Sequence, residues 1–293
     1  MLKWWTALAL VALLAGCSPL VPSATVPPTE TPAPTQTPVP TAALAPTPTP
    51  VARSEPAAPI DPFAQARRLG RGVNLGNALE AHRGAEGTME IKEQYLQLIA
   101  AAGFDTIRVP IRWTSYALDK PPYTVEEAFF QEIDRVIESG LQQGLNVVID
   151  MHHYDELFAG DAGNHKERFV AIWSQTATRY RTMPDNLFYE PLNEPHGMLL
   201  PDAWNALVRD TVSAIRQVDG VHTLVISGTQ WGNMQGLAFL EIPEGEENVI
   251  CTFHYYEPFP FTHQGAGWVG EQYWTIGVEW PGPPKTPLGS IKV

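Results

Sequence analysis

"NLFYEPLNE", residues 186–194, is the stretch on which the fold turns. Leu187, Phe188 and Tyr189 are residues of a strand, and the run ends on Asn193 and Glu194 with Pro195 next. Read alone, Asn and Pro spell a surface turn. The flanking segments point elsewhere. "KERFVAIWSQTATRY" (166–180) precedes it with helical spacing, and "PDAWNALVRDTVSAIRQVD" (201–219) follows with Pro201 near its start. A short strand between two helices is the unit of a parallel sheet.

The same alternation extends both ways. Upstream lie "RGVNLGN" (71–77, strand), "MEIKEQYLQLIAAAG" (89–103, helix), "FDTIRVPI" (104–111, strand), "EEAFFQEIDRVIESGLQQG" (126–144, helix) and "NVVIDMHH" (146–153, strand). The second helix puts Phe130, Ile133, Val136, Ile137 and Leu141 on one face. Downstream, "TLVISG" (223–228) and "NVICTFHYY" (248–256) are strands. Strands joined through right-handed crossovers pair in parallel, and six in succession point to a closing barrel more than to an open doubly wound sheet. "LGRGVNLGN" lacks the G-x-G-x-x-G spacing, so no nucleotide cofactor is indicated.

Polar residues gather where these strands end. Arg108 is near the end of the second, His152 and His153 follow the third, and Asn193 and Glu194 follow the fourth. Trp231 comes after the fifth, and His254 and Tyr256 end the sixth. The carboxyl ends of the strands are the face on which barrel active sites are built. Arg108 needs a carboxylate partner if buried, and Glu190 is the candidate, pointing to the same side as Glu194 in an extended strand. A metal at His152 and His153 is disfavoured, because neighbours in a strand face opposite ways; no metal is expected. Trp173 and Trp204 have core spacing on their helices.

The formal net charge is -13, which disfavours nucleic acid as a partner. Lys3 followed by "TALALVALLAG" (6–16) and Cys17 resembles a bacterial lipoprotein signal, with Cys17 becoming the lipidated first residue; residues 1–17 are then an address and the protein is held to a membrane outside the cytoplasm. Residues 18–60 hold 13 Pro, 8 Thr and no Gly, the composition of a semi-stiff polyproline stalk. Residues 61–293 are the globular part, and its single Cys251, in an apolar strand-like run, reads as a packed core thiol.

Taken in order, "GNALE" (76–80), "IRVPIRW" (107–113), "HHYDEL" (152–157), "LNEPHG" (192–197) and "FHYYEPFPFTHQGAGW" (253–268) resemble glycoside hydrolase family 5, most closely its bacterial endo-β-1,4-glucanases. The resemblance implies a (β/α)8 TIM barrel of the α/β class, with about the first six units present here. It implies retaining hydrolysis of a β-linked polysaccharide without a cofactor. Glu194 matches the general acid/base and Asn193 the residue that holds the sugar 2-hydroxyl. Arg108, His152, His254 and Tyr256 match the shell around the catalytic carboxylates. Asn77, Glu80, His153, His263 and Trp268 match residues that hold sugar units, and Trp231 an aromatic platform. A mannanase or xylanase on the same scaffold, or an inactive glycan-binding lipoprotein, are the alternatives.

The chain also departs from the family. "EAHRGAEGTMEI" (80–91) lacks the aromatic often found there. The family's nucleophile, a Glu at the end of a seventh strand, is not found. The spacing of strand ends places a seventh end at 281 or later, where "EWPGPPKTPLGSIKV" (279–293) is too proline-rich for a central strand. The nucleophile is therefore expected beyond Val293, and Glu279 is not assigned the role.

Overall fold

The computed structural model describes residues 60–270 and 276–280. The expected signal, Cys17, the stalk up to residue 59 and the tail from residue 281 lie outside the described residues. Among the described residues no helix is long and apolar enough to cross a membrane.

Among the described residues six strands form one parallel sheet in chain order: β1 (Gly72–Asn74), β2 (Thr106–Ile111), β3 (Asn146–Met151), β4 (Leu187–Glu190), β5 (Thr223–Ser227) and β6 (Val249–Thr252). Each pairs in parallel with the next. A doubly wound sheet reverses its order part-way; this one does not, which is the arrangement of successive units in a TIM barrel. The larger crossover helices are α2 (Glu93–Ala101), α3 (Glu127–Gln142), α5 (Ala162–Tyr180) and α6 (Pro201–Arg216). The short α4 (Asp155–Phe158) and α7 (Phe259–Thr262) lie in the loops after β3 and β6.

Strand alternation sorts the side chains into two sets. Ile107, Val109 and Ile111 of β2, Val147, Ile149 and Met151 of β3, and Leu187 and Tyr189 of β4 join the helices in one apolar core. On the other face Val148, Phe188 and Val225 pack together with Leu69 and Ile250. The first set accounts for the helical faces read from sequence. Phe130, Ile133, Val136 and Ile137 of α3 are buried, as are Trp173 and Trp204, whose indole N–H groups donate to the carbonyls of Pro191 and Ser227 at 3.0 and 2.9 Å.

Several sequence expectations need correction. α1 (Pro62–Leu69) was not foreseen. Its short stretch "PFAQARRL" has little apolar periodicity, and it is held by tertiary ties: the Leu69 carbonyl accepts from Thr106, the Arg68 carbonyl accepts from Asn146, and Arg68 pairs with Asp185. α5 starts at Ala162, about one turn before the apolar periodicity begins. β4 ends at Glu190, because Pro191 has no N–H to give the ladder. Cys251 is exposed rather than packed, since β6 has a strand neighbour on one side only among the described residues.

Candidate active site

Parallel register sets the polar floor of the cleft. Arg108 lies beside Asn74 and Val148, and one layer nearer the strand ends Asp150 lies beside Glu190. From below, the Arg108 guanidinium reaches both carboxylates. Nε donates to Glu190 Oε2 at 2.7 Å and Nη2 to Glu190 Oε1 at 2.8 Å, and Nη2 stands 2.5 Å from Asp150 Oδ2. Nη2 also donates to Asn193 Oδ1 and Nη1 to Asn74 Oδ1, both at 2.9 Å. Glu190 is thus the partner expected for Arg108. Burial opposes the guanidinium charge, but Asp150 and Glu190 outweigh it and hold Arg108 above its ordinary pKa.

Asp150 is fully buried and was not singled out from the sequence. It also accepts from the Ile111 N–H at 3.2 Å and from His152 Nδ1 at 3.0 Å. A lone acid in the apolar run "NVVIDM", two residues before a strand-end His, is the one signal in the sequence that could have found it. His152 and His153 both lie beyond the end of β3, with rings edge to face at 4.8 Å, so strand alternation does not separate them. Their partners do: His152 turns to Asp150, whereas His153 feels Arg112 and Glu80. Burial, then the Arg112 charge, depress His153 to a pKa of about 4. Among the described residues no group of three or more His, Cys, Asp or Glu is placed to hold a metal.

Glu194 is not in extended backbone, so the expectation that it shares a strand face with Glu190 is corrected. Its φ is +46°, a left-handed conformation that a non-glycine residue keeps only when its surroundings impose it. The backbone N–H of neighbouring Asn193 donates to Met151 O at 2.9 Å and anchors the turn. Glu194 Oε1 accepts from His254 Nδ1 at 2.7 Å and from the Tyr256 hydroxyl at 3.0 Å. Burial raises the Glu194 pKa, yet these two donors more than offset it and the net shift is downward. Tyr256 is pushed up to about 12, by burial first and the Glu194 charge second, so it keeps its proton.

The sugar-side residues fall in two places. Glu80 closes its own loop, with Oε2 accepting from Ala78 N–H at 2.9 Å and Oε1 from Asn77 N–H. Its carbonyl accepts from Arg112 Nε at 3.0 Å, which sets this loop beside His153. Across the cleft, a cavity of about 860 Å³ is lined by Glu194, Trp231, Tyr256, Phe259, His263 and Trp268. His263 is held by stacking on Phe259 at 3.9 Å. An adjoining cavity of about 280 Å³ shares Trp231 and Tyr256. The structure thus brings Trp231, Tyr256, His263 and Trp268 together with Glu194, and Asn77, Glu80 and His153 near one another.

The profile of cellulases, glycosyl hydrolase family 5, matches residues 70–280. The chain belongs to glycoside hydrolase family 5. Among curated proteins this family member is similar to Endoglucanase H of Acetivibrio thermocellus, 34% identical over 70% of this chain and 23% of that protein. It is also similar to Endoglucanase 3 of Fibrobacter succinogenes, 31% identical over 68% of this chain and 33% of that protein. The chain thus spans between about a quarter and a third of the length of these two relatives. Among solved structures it is similar to the endoglucanase Cel5A of Thermotoga maritima, 46% identical with a TM-score of 0.72, over 76% of this chain and 72% of that one. That protein has been crystallised with mannotriose and with cellobiose.

Proposed function

We propose that the protein is an endo-acting β-1,4-glucanase that cleaves internal bonds of cellulose-type β-glucans with retention, and that Glu194 is its general acid/base. The observation that carries this is the placement of Glu194: a strained turn at a strand end, tied to His254 and Tyr256, in a cleft walled by aromatic rings. The endoglucanase relatives supply the substrate class.

In the first step the Glu194 carboxyl gives its proton to the glycosidic oxygen as the bond to the anomeric carbon breaks. In the second, the Glu194 carboxylate takes a proton from the water that attacks that carbon. Retention also takes a second carboxylate about 5–5.5 Å away as nucleophile; no described residue is assigned that role. Glu194 held by two donors is arranged as the base. The nucleophile's negative charge, once beside it, would raise its pKa and so supply the acid form. The Asn193 amide, with its oxygen fixed on Arg108, keeps its NH2 for a sugar hydroxyl.

Cel5A of Thermotoga maritima in complex with mannotriose favours a second reading, in which β-1,4-mannans are also cleaved. The "LLAGC" motif and the 18–60 stalk support attachment by lipid at Cys17, with the domain held out towards a polymer outside the cell. Loss of membrane fractionation in Cys17→Ser tests the anchor.

The decisive test of the catalytic reading is Glu194→Gln in the full-length gene product, assayed on a soluble cellulose derivative. Hydrolysis is expected to fall by about 10² to 10⁴ at unchanged fold. Near-normal release of reducing ends refutes the assignment, and a wild type that binds glucan without cleaving it favours the inactive glycan-binding lipoprotein.

A further inference from the structure

His196, directly after the Asn-Glu-Pro turn, makes contacts that the acid/base chemistry leaves unused. Its ring lies between two others. Phe158 stacks on one side at 3.9 Å with planes 26° apart, and Trp231 on the other at 5.0 Å with planes 12° apart. Its Nδ1 stands 2.5 Å from the backbone carbonyl of Glu194. A carbonyl only accepts, so Nδ1 carries the proton.

Both ends of this three-ring stack are tied to the chain around Glu194. The Met198 N–H donates to Phe158 O at 2.9 Å. Gly197, at φ +62°, allows that approach: a Cβ there would stand 2.6 Å from the same oxygen. At the other end the Trp231 N–H donates to Pro195 O at 3.1 Å, and Trp231 has φ +59°. The next residue, Gly232, accepts from His254 N–H at 2.7 Å, and His254 returns to Glu194 Oε1 at 2.7 Å. The contacts form a closed loop: Glu194 backbone, His196, Trp231, Gly232, His254, Glu194 carboxylate.

We infer that His196 is a positioning residue with two separable jobs: its hydrogen bond fixes the backbone turn that presents Glu194, and its stacking fixes the plane of the Trp231 platform. The inference rests on the glucanase reading above. Two substitutions divide the jobs. His196→Asn keeps an N–H donor close to the place of Nδ1 and discards the stack. His196→Phe keeps the stack and discards the donor.

The experiment uses the full-length protein with cellotetraose and a soluble cellulose derivative, and urea midpoints establish that each variant is folded. His196→Phe should lower kcat by about 3- to 10-fold, the worth of one ordinary hydrogen bond, with KM near wild type. His196→Asn should raise KM by about 3- to 10-fold, the worth of an aromatic stack, with kcat near wild type. In a Trp231→Ala background His196→Asn should add nothing further to KM. If both variants lower kcat and raise KM together, or neither moves either constant, or the His196→Asn and Trp231→Ala effects simply add, the inference falls. A wild type that does not cleave glucan defeats the hydrolytic reading, and calorimetric titration with cellotetraose then decides the positioning role. Binding weakened in His196→Asn as in Trp231→Ala, but not in His196→Phe, upholds it. Equal results in all four proteins, absence of binding included, overturn it.

Discussion

On the β2–β4 side of the cleft, Arg108, Asp150, Glu190 and Asn193 hold one another, with Asp150 and Glu190 almost wholly buried. On the β5–β6 side, Trp231 and Trp268 stand 58% and 83% exposed on loops. The two walls meet at Glu194. The polar wall consists of groups that are costly to bury singly and tolerable only together. The aromatic wall consists of large apolar faces left open to water, which a flat, neutral ring such as a pyranose can cover. Holding buried charge beneath the site is thus the task of the first; the second carries the rings that grip the substrate, together with His254 and Tyr256, which hold the Glu194 carboxylate. Damage to one should appear in stability, damage to the other in affinity.

The sharpest way to break this contrast is Arg108→Met. It leaves Asp150 and Glu190 buried side by side without their cation, and removing one partner of a buried ion network costs about 3–5 kcal/mol. Arg108→Lys should recover only part of this, since an ammonium cannot make the two-pronged contact with Glu190. Urea unfolding of the full chain measures both. A loss below about 1 kcal/mol for Arg108→Met would show that the polar wall is not interdependent.

Gly228→Ala comes next. Gly228 follows β5, and a Cβ there would lie 2.2 Å from the backbone carbon of Gly236. Backbone must move, at a cost of about 1–3 kcal/mol. The same loop carries Trp231, so this variant should combine moderate destabilisation with weakened oligosaccharide binding. Destabilisation with unchanged binding would detach the platform from its loop.

A smaller effect tests the positive bias of the polar wall. His153 has a folded pKa of about 4, from burial first and Arg112 second, against about 6.5 when unfolded. Between these values the unfolded chain binds more protons, so stability falls as pH drops from about 6.5 towards 4 and is fully present above that window. His153→Gln removes this dependence. The stability difference between wild type and variant should shift in favour of the variant by on the order of 1 kcal/mol between pH 7 and pH 4.5. A difference that does not move with pH would show that burial and the Arg112 charge do not hold His153 neutral.

Much of this was legible in the chain itself, for identifiable reasons. The alternation in "TIRVPI" puts Arg108 on the face opposite Ile107, Val109 and Ile111, and a mostly buried Arg needs a carboxylate, which led to Glu190. The apolar stripe of α3 and the indoles of Trp173 and Trp204 were legible in the same way, because burial follows periodicity. What escaped depends on tertiary contact. Glu194 departs from extended backbone because of ties to residues about 40 to 60 positions away, such as Met151 and His254, which local propensity does not register. His196 and Trp231 are 35 positions apart, and only the fold stacks them. Cys251 sits in an apolar run, yet its exposure depends on whether a strand covers that edge of β6, which the run itself does not encode.

Trp268→Ala should have the smallest effect on stability of these variants, and it isolates what the aromatic wall contributes. The side chain is 83% exposed, so truncating it removes little buried apolar surface and should change unfolding free energy by less than about 0.5 kcal/mol. Trp268 nonetheless lines the same cavity as Glu194, and a ring covering a sugar face there contributes about 0.5–1.5 kcal/mol beyond simple burial. Cellotetraose affinity should therefore fall by about 2- to 12-fold while the urea midpoint stays where it was. Shorter ligands that do not reach the ring should lose nothing, so titrations with cellobiose and cellotetraose in parallel separate a platform from a general disturbance. If Trp268→Ala destabilises the fold as much as Gly228→Ala does, the ring is part of the packing. The separation between a wall of buried charge and a wall that grips substrate then fails at this residue.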